Sequence, residues 1–198
     1  MTRIRLEDFT VDSLKPLNLV VSNEIVCLSG PSGSGKSLLL RAIADLIDHQ
    51  GEAYLGDDIC SEISPVQWRK RVGFLPAESA WWRDKVGDHF QAKDEHYLQQ
   101  LNLSAECFSW DITRCSTGEK QRLAIARLLE QKPEVLLLDE PTASLDPESV
   151  LSVESLIKTY AAEKRVPVIW VSHNPQQIKR IANRHFEIKQ CAIIEVAL

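Results

Sequence analysis

Residues 25–48 read IVCLSGPSGSGKSLLLRAIADLID, and the change of texture within them decides the fold. Ile25 to Ser29 is a short apolar run rich in Val, Ile and Leu, the pattern of a buried strand. It stops at a glycine-rich loop. From Lys36 to Asp48 the apolar residues Leu39, Leu40, Ile43, Leu46 and Ile47 recur three and four apart, which predicts the buried face of a helix, with Gly51 as its stop. Between strand and helix, Gly30-Pro31-Ser32-Gly33-Ser34-Gly35-Lys36-Ser37 has the form G-x-x-x-x-G-K-[ST] in the context that form requires. Gly30, Gly33 and Gly35 permit backbone conformations that a side chain forbids, so successive N–H groups can turn inward around a phosphate at the helix N-terminus. Lys36 then supplies a point charge for the β- and γ-phosphates, and the Ser37 hydroxyl is a ligand for Mg²⁺. The competing reading is an ordinary glycine turn. It fares poorly, because four fixed positions arise by chance in under about one percent of chains of this length.

Working outward, Leu17 to Val21 reads as a strand, joined to Ile25–Ser29 by the turn residues Ser22, Asn23 and Glu24. Val72 to Leu75 suits another strand, ended by Pro76, which has no N–H for the ladder. Residues 77–115 are polar, carry Trp81, Trp82, Phe90, Tyr97, Phe108 and Trp110, and lack long β-branched runs, which predicts a small helical insert. Gly118 to Gln131 has an amphipathic pattern closed by Pro133. Val135 to Leu138 is wholly apolar and ends in Asp139 and Glu140, as suits a central parallel strand buried on both faces. Helices over Pro147–Lys164 and Pro175–Ala182 and strands over Pro167–Ser172, His185–Lys189 and Ala192–Val196 complete an α/β alternation with a mostly parallel sheet.

The chain has 198 residues, with 23 Lys and Arg against 28 Asp and Glu, a formal charge of −5. That balance argues against nucleic-acid binding by bulk charge, so no direct nucleic-acid partner is expected. At 44% apolar and 26% charged residues the composition is that of a folded globular protein. Five cysteines, an odd number without a C-x-x-C pair, fit neither a disulfide framework nor a zinc site and suit a reducing cytosol. No apolar run approaches the roughly 18 residues of a membrane helix, and the acidic N-terminus is unlike a secretory signal. Any work at a membrane would then need another chain to cross it.

Asp139 and Glu140 form the second half of a phosphate site. An unpaired carboxylate at the mouth of a buried sheet costs several kcal/mol, so a cation is the natural partner. Asp139 can hold Mg²⁺ through water, and Glu140 can orient or deprotonate a water for in-line displacement. The alternative, an acidic pair on a solvated loop, has even standing for an isolated LLLDE string and loses ground beside a phosphate loop.

Cys115-Ser116-Thr117-Gly118-Glu119-Lys120-Gln121-Arg122 is similar to the signature L-S-G-G-Q/E-x-Q-R of the ATP-binding-cassette (ABC) ATPases. It precedes VLLLDEPTASLD, Val135 to Asp146, at that family's spacing, and Val171-Ser172-His173-Asn174 resembles the family's switch-histidine segment. The resemblance covers almost the whole chain. It implies one ABC-type nucleotide-binding domain over 1–198 with a P-loop NTPase core of about 1–76 and 116–198 and a helical subdomain of about 77–115. It also implies an Mg²⁺-dependent ATPase with ATP sandwiched in a head-to-tail dimer, between the phosphate loop of one subunit (Gly30 to Ser37, with Leu38) and the signature (Ser116, Thr117, Gly118, Glu119) of the other. By the same resemblance Lys36, Glu140 and His173 are catalytic, Ser37 and Asp139 hold the metal, and Ser144 to Asp146 couple the two sites. Alone, His173 would read as a structural histidine; in register after a strand, it favours the γ-phosphate.

Departures from the family pattern matter too. Ala77 stands where Gln is usual, leaving hydrolysis or coupling short of one oxygen unless Glu78 or Ser79 supplies it. Thr117 replaces a signature glycine, Leu38 stands where a second hydroxyl often touches the α-phosphate, and Phe9 is the only nearby ring for stacking adenine. The expected partners are a second cassette, forming a homodimer, and a multi-span permease that holds the chain on the cytoplasmic face of the membrane. Trp82 and Arg83, in a region that also holds Trp68, Trp81 and Trp110, are candidates for the docking groove; the other reading is that these rings fill the insert's core. The alternatives in function are a soluble ABC ATPase of repair, chromosome or translation type and a slow ATP-gated switch. STGEKQR, VLLLDE and VIWVSHN look like a bacterial subgroup of small cassettes regarded as iron or metal exporters.

Overall fold

The computed structural model describes residues 2–198. Its strands and helices are β1 (Ile4–Thr10), β2 (Leu17–Val21), β3 (Ile25–Ser29), α1 (Lys36–Ile43), β4 (Gln50–Leu55), β5 (Asp58–Ile59), α2 (Pro65–Arg71), β6 (Val72–Leu75), α3 (His96–Gln100), α4 (Thr117–Glu130), β7 (Val135–Asp139), α5 (Pro147–Lys164), β8 (Val168–Val171), α6 (Pro175–Ile181), β9 (Arg184–Lys189) and β10 (Ala192–Val196). Six strands form one sheet in the order β10-β9-β3-β8-β7-β6, parallel except for β10. Every residue of β7 and β8 is buried, as a central parallel strand with both faces covered must be.

The period-two alternation of these strands divides the core. Val26, Leu28, Val135, Leu137, Ile169 and Val171 face one way, toward α1 and the second sheet. Ile25, Cys27, Leu136, Leu138, Val168 and Trp170 face the other, toward α4 and α5. The second sheet, in the order β2-β1-β4-β5, is antiparallel and escaped the sequence reading apart from β2. β2 and β3 are therefore not a hairpin: three residues carry the chain from one sheet to the other. β1 and β4 are hard to read because β1 is bulged between Glu7 and Thr10, which breaks the alternation. Opposite that bulge Gly51 has φ +75, and a Cβ there would run into the backbone of Glu7 and Asp8, so only glycine fits.

Helix α1 is shorter than its periodicity predicts. It ends at Ile43, and Asp45 takes the left-handed conformation (φ 55), so that Asp45 N–H donates to Ala42 O and Leu46 N–H to Arg41 O. This is a Schellman stop with Asp in the place of glycine. Leu46, expected on the buried face, is instead 45% exposed. Trp68 of α2 is fully buried, and its Nε1 donates to Ile43 O at 2.9 Å, anchoring the same helix end. The insert holds one five-residue helix, α3, and three 3-10 turns. Its core contains Val86, Phe90, Leu98, Leu101, Leu103 and Cys107. Helix α4 starts with a reciprocal cap, Ser116 Oγ accepting from Glu119 N–H while the Glu119 carboxylate accepts from Ser116 N–H. All five cysteines are free.

A buried polar cluster ties α5 and α6 to the loops at the end of the sheet. Gln177 Nε2 donates to Glu154 Oε1 (2.9 Å) and to Thr142 Oγ1 (3.0 Å), and Gln177 Oε1 accepts from Ser172 Oγ (2.8 Å). Arg180 closes the cluster with two hydrogen bonds to Glu154, at 3.0 and 2.7 Å. Burial opposes the ionised form of Glu154, but the hydrogen bonds from Arg180 and Gln177 outweigh it and hold the carboxyl below its ordinary value of 4.5. A carboxyl lowered on folding adds stability that is complete above its unfolded value and disappears as pH falls through the folded one. The protein should therefore lose stability below about pH 4.5. In urea titrations Glu154→Gln should be less stable than the parent at pH 7 and lose less on acidification from about pH 5 to pH 3; equal pH slopes would exclude Glu154 as a source of the acid sensitivity.

Candidate functional site

In the parallel register Leu28 lies beside Val171 and Val171 beside Asp139. The residues that follow leave the sheet together: the glycine loop from Gly30 after β3, Ser172 and His173 after β8, Glu140 after β7. Three adjacent strand ends thus deliver the loop, the histidine and the acidic pair to one edge, the usual ligand edge of an open α/β sheet.

Gly30 has φ +142 and packs so closely on Ile188 that a Cβ would lie 3.1 Å from its carbonyl oxygen. Gly35, at φ +98, is the N-cap of α1 and offers no side chain, and the first turn carries no acid. The opening N–H groups of α1 thus have neither a capping oxygen nor a carboxylate in the helix's own sequence to accept from them, which suits an anion. Lys36 is 5% exposed and arches over the loop, its Nζ donating to Gly30 O at 3.0 Å and Pro31 O at 2.8 Å. Burial lowers its pKa, while the negative charges of Glu140 and Asp139 act in the opposite sense. A phosphate would replace carbonyl dipoles with full charge. Asp139 is 3% exposed, and among the described residues no cationic side chain forms an ion pair with it. A carboxylate buried without an ion pair, together with the Ser37 hydroxyl in the first turn of α1, is an oxygen-only donor set that fits Mg²⁺.

Glu140 adopts φ 48, an uncommon conformation for a residue with a side chain, and its Oε1 lies 3.1 Å from His173 Nε2. His173 also borders a groove shared with Ser29, Gly30, Pro31 and His185, where Ser29 Oγ and His185 Nε2 stand 2.8 Å apart. The structure thus brings Glu140, His173, Lys36 and Asp139 to one mouth. Ser116, Thr117, Gly118 and Glu119 stand elsewhere: no hydrogen bond or ion pair among the described residues joins them to the phosphate loop. Ser116 and Glu119 are engaged in capping each other, and the backbone N–H of Ser116 holds the Glu119 carboxyl below its usual value. Gly118 packs on the segment after β7, its absent Cβ 3.3 Å from Ser144 O. Asp146 is engaged as the N-cap of α5, accepting from Glu148 and Ser149.

One site expectation needs correction, and the tryptophans near the insert separate. Phe9 is fully buried against His49 and cannot stack on a nucleotide base. Trp68 lies in the core and belongs to no docking surface. Of the adjacent pair, Trp81 packs against the core while Trp82 is 67% exposed, so the aromatic cluster divides between the two readings. Sequence reasoning missed Gln177 altogether; its position three residues before Arg180 on α6 was the one available hint of an inward polar face.

A family model described as ABC transporter matches residues 14–143. The chain is 34% identical to the phosphate import ATP-binding protein PstB of Aeropyrum pernix, over 86% of this chain and 78% of that protein. It is 32% identical to the probable iron export ATP-binding protein FetA of Escherichia coli, over 79% and 76%. Its fold superimposes with a TM-score of 0.85 on the dimeric post-hydrolysis structure of an ATP-binding cassette bound to ADP and Pi, at 23% identity and covering 100% of this chain and 99% of that one. A loop, an acidic strand end and a histidine meeting at one sheet edge, in a chain matched by this family model over most of its length, identify it as an ATP-binding member of the ABC transporter family.

Proposed function

We propose that this chain is the ATP-hydrolysing subunit of a membrane transporter, working as a head-to-tail dimer at the cytoplasmic face of a membrane beneath a separate multi-span permease. The observation that carries the reading is the meeting of Lys36, Asp139, Glu140 and His173 at the ends of β3, β8 and β7. The N–H groups from Gly30 to Leu38 would hold the phosphates, with Lys36 turning from the loop carbonyls to the γ-phosphate. Mg²⁺, held by Ser37 and, through water, by Asp139, would neutralise charge on the β- and γ-phosphates. Glu140 orients or accepts a proton from the attacking water, and His173, within hydrogen-bond reach of Glu140, contacts the γ-phosphate.

The need for a second copy follows from the separation of the signature from the phosphate loop. The start of α4 bears Thr117, Gly118 and a positive dipole end, and among the described residues no hydrogen bond joins it to its own chain's loop, so a partner's nucleotide is the natural occupant. Residues 77–115, with the remainder as core, form the subdomain that meets the permease. Beside it a groove runs between Leu46, Phe74, Trp82, His89, Arg127 and Gln131. Arg127 lies 4.3 Å from the Trp81 ring centroid and 5.1 Å from that of Trp82, and its Nη1 is buried without a hydrogen-bond partner. An apolar helix bearing one acceptor would complete it. The resemblance of FetA suggests a metal as cargo, but cargo contacts belong to the permease.

Glu140→Gln should keep nucleotide binding, lose at least about a hundredfold in turnover, and elute as an ATP-dependent dimer in size-exclusion chromatography with Mg²⁺; a monomer at saturating MgATP would overturn the sandwich. Ala77 is exposed, and Ser79 lines the docking groove with Trp82 and does not border the groove beside the phosphate loop. Ala77→Gln should accordingly raise steady-state ATP turnover severalfold, and unchanged turnover would mean that the missing oxygen is supplied elsewhere. Gentle solubilisation of native membranes should recover a multi-span protein with the tagged chain, and recover it poorly with Trp82→Ala although basal ATPase persists. Recovery of soluble proteins or nucleic acid alone would assign the chain to the soluble class of this family.

A further inference from the structure

Beyond the C-terminal end of the phosphate-loop helix, three side chains of different chemistry stand together. The Asp45 carboxylate, a ring nitrogen of His49 and the Cys60 thiol have ligand atoms within 4.8 Å of one another. Asp45 and His49 belong to the loop that leaves α1, and Cys60 opens the 3-10 turn after β5. The sequence gives no sign of the group, because its members are of three residue types and lie on two separate segments. Each is held in place by independent contacts. Asp45 is fixed in the left-handed conformation by the helix stop, and Arg69 Nε donates to its carbonyl oxygen at 3.0 Å. The His49 ring lies on Phe9 with centroids 4.5 Å apart, and its Nδ1 is buried without a hydrogen-bond partner. Cys60 is buried at 7% exposure.

A buried ring nitrogen without a partner is costly, and such groups in folded proteins usually have an occupant. A thiol, an imidazole and a carboxylate are the donors of a borderline-soft divalent ion, whereas Mg²⁺ and Ca²⁺ take oxygen alone. Tetrahedral bonds of about 2.0 to 2.3 Å set donor atoms roughly 3.5 Å apart, so the triad has to close by little more than an ångström. A surface recess lined by Asp45, Leu46, Asp48, His49, Pro65 and Arg69 provides the way in. We propose that Asp45, His49 and Cys60 form a binding site for a zinc-class divalent metal ion, which clamps the exit of the phosphate-loop helix to the second sheet. Burial, reinforced by Asp45 and Glu52, pushes the Cys60 thiol up to about 12, so the ion displaces a proton when it binds. It also has to displace Arg69 from the Asp45 carboxylate, where Nη2 and Oδ2 are 3.4 Å apart. The fourth position is left to water.

The test uses the full chain carrying Cys191→Ser, which removes the one exposed thiol, free of nucleotide and Mg²⁺. Calorimetric titration with Zn²⁺ should show one tight equivalent, and Zn²⁺ should raise the thermal midpoint. Co²⁺ should give the visible absorption of a tetrahedral ion together with a sulfur-to-cobalt charge-transfer band. Cys60→Ser should abolish that band and, like His49→Gln, weaken Zn²⁺ binding by at least about tenfold. A parent without the charge-transfer band, or Zn²⁺ binding that survives both substitutions unchanged, would overturn the site. The parent's Co²⁺ spectrum and the His49→Gln titration decide the matter even if Cys60→Ser fails to fold.

Discussion

The parallel pairing of β3 with β8 and of β8 with β7 is the constraint on which the rest of the molecule depends. Its register sets Leu28, Val171 and Asp139 in one row. A slip of one residue would turn the apolar faces of these strands over and withdraw Asp139 from the mouth. Burial on both faces makes such a slip prohibitive, since the two faces of each strand fill different halves of the core. The functional edge is therefore held by the hydrophobic core: apolar side chains fix where the polar ones emerge.

At that edge charge and desolvation are left out of balance. Lys36 is buried against loop carbonyls and Asp139 is buried without an ion pair among the described residues, yet the two sense one another electrostatically. Under the proposed function a nucleotide with its metal would supply both partners, anion for lysine and cation for aspartate. The strained φ of Glu140 belongs with this arrangement, because it turns the carboxylate out of the strand direction and toward His173. Behind it, Gln177 bonds Thr142, Ser172 and Glu154 at once. The loops after β7 and β8 are thereby tied to one another and to α5 and α6, and a shift of either loop is felt by the other.

Motifs were legible where local pattern and chemistry coincide. The strand, glycine loop and helix around residues 25–43, the apolar run of β7 and the helix Pro147–Lys164 all stand where periodicity puts them. The antiparallel sheet was not legible, because bulged β1 and β4, which opens with the polar Gln50, Gly51 and Glu52, lack a clean alternation and make sense only against one another. Periodicity also overran the end of α1: Leu46 keeps the helical spacing, but Asp45 in the left-handed region breaks the helix before it. Trp68, Trp81 and Trp82 show the same limit, for the first is core, the second packs against the core from outside and the third is exposed, and composition has no means of distinguishing them.

The sequence by itself determined the chemistry of the phosphate loop, the acidic strand end and the family, because each is written in contiguous residues whose spacing follows from backbone geometry. Tertiary structure alone decided which of these residues meet. Glu140 and His173, Gln177 and its three partners, and the triad of Asp45, His49 and Cys60 come from separate segments, and their distances follow from how two sheets and six helices pack. Contacts between distant segments depend on the whole core, so no local window of sequence contains them.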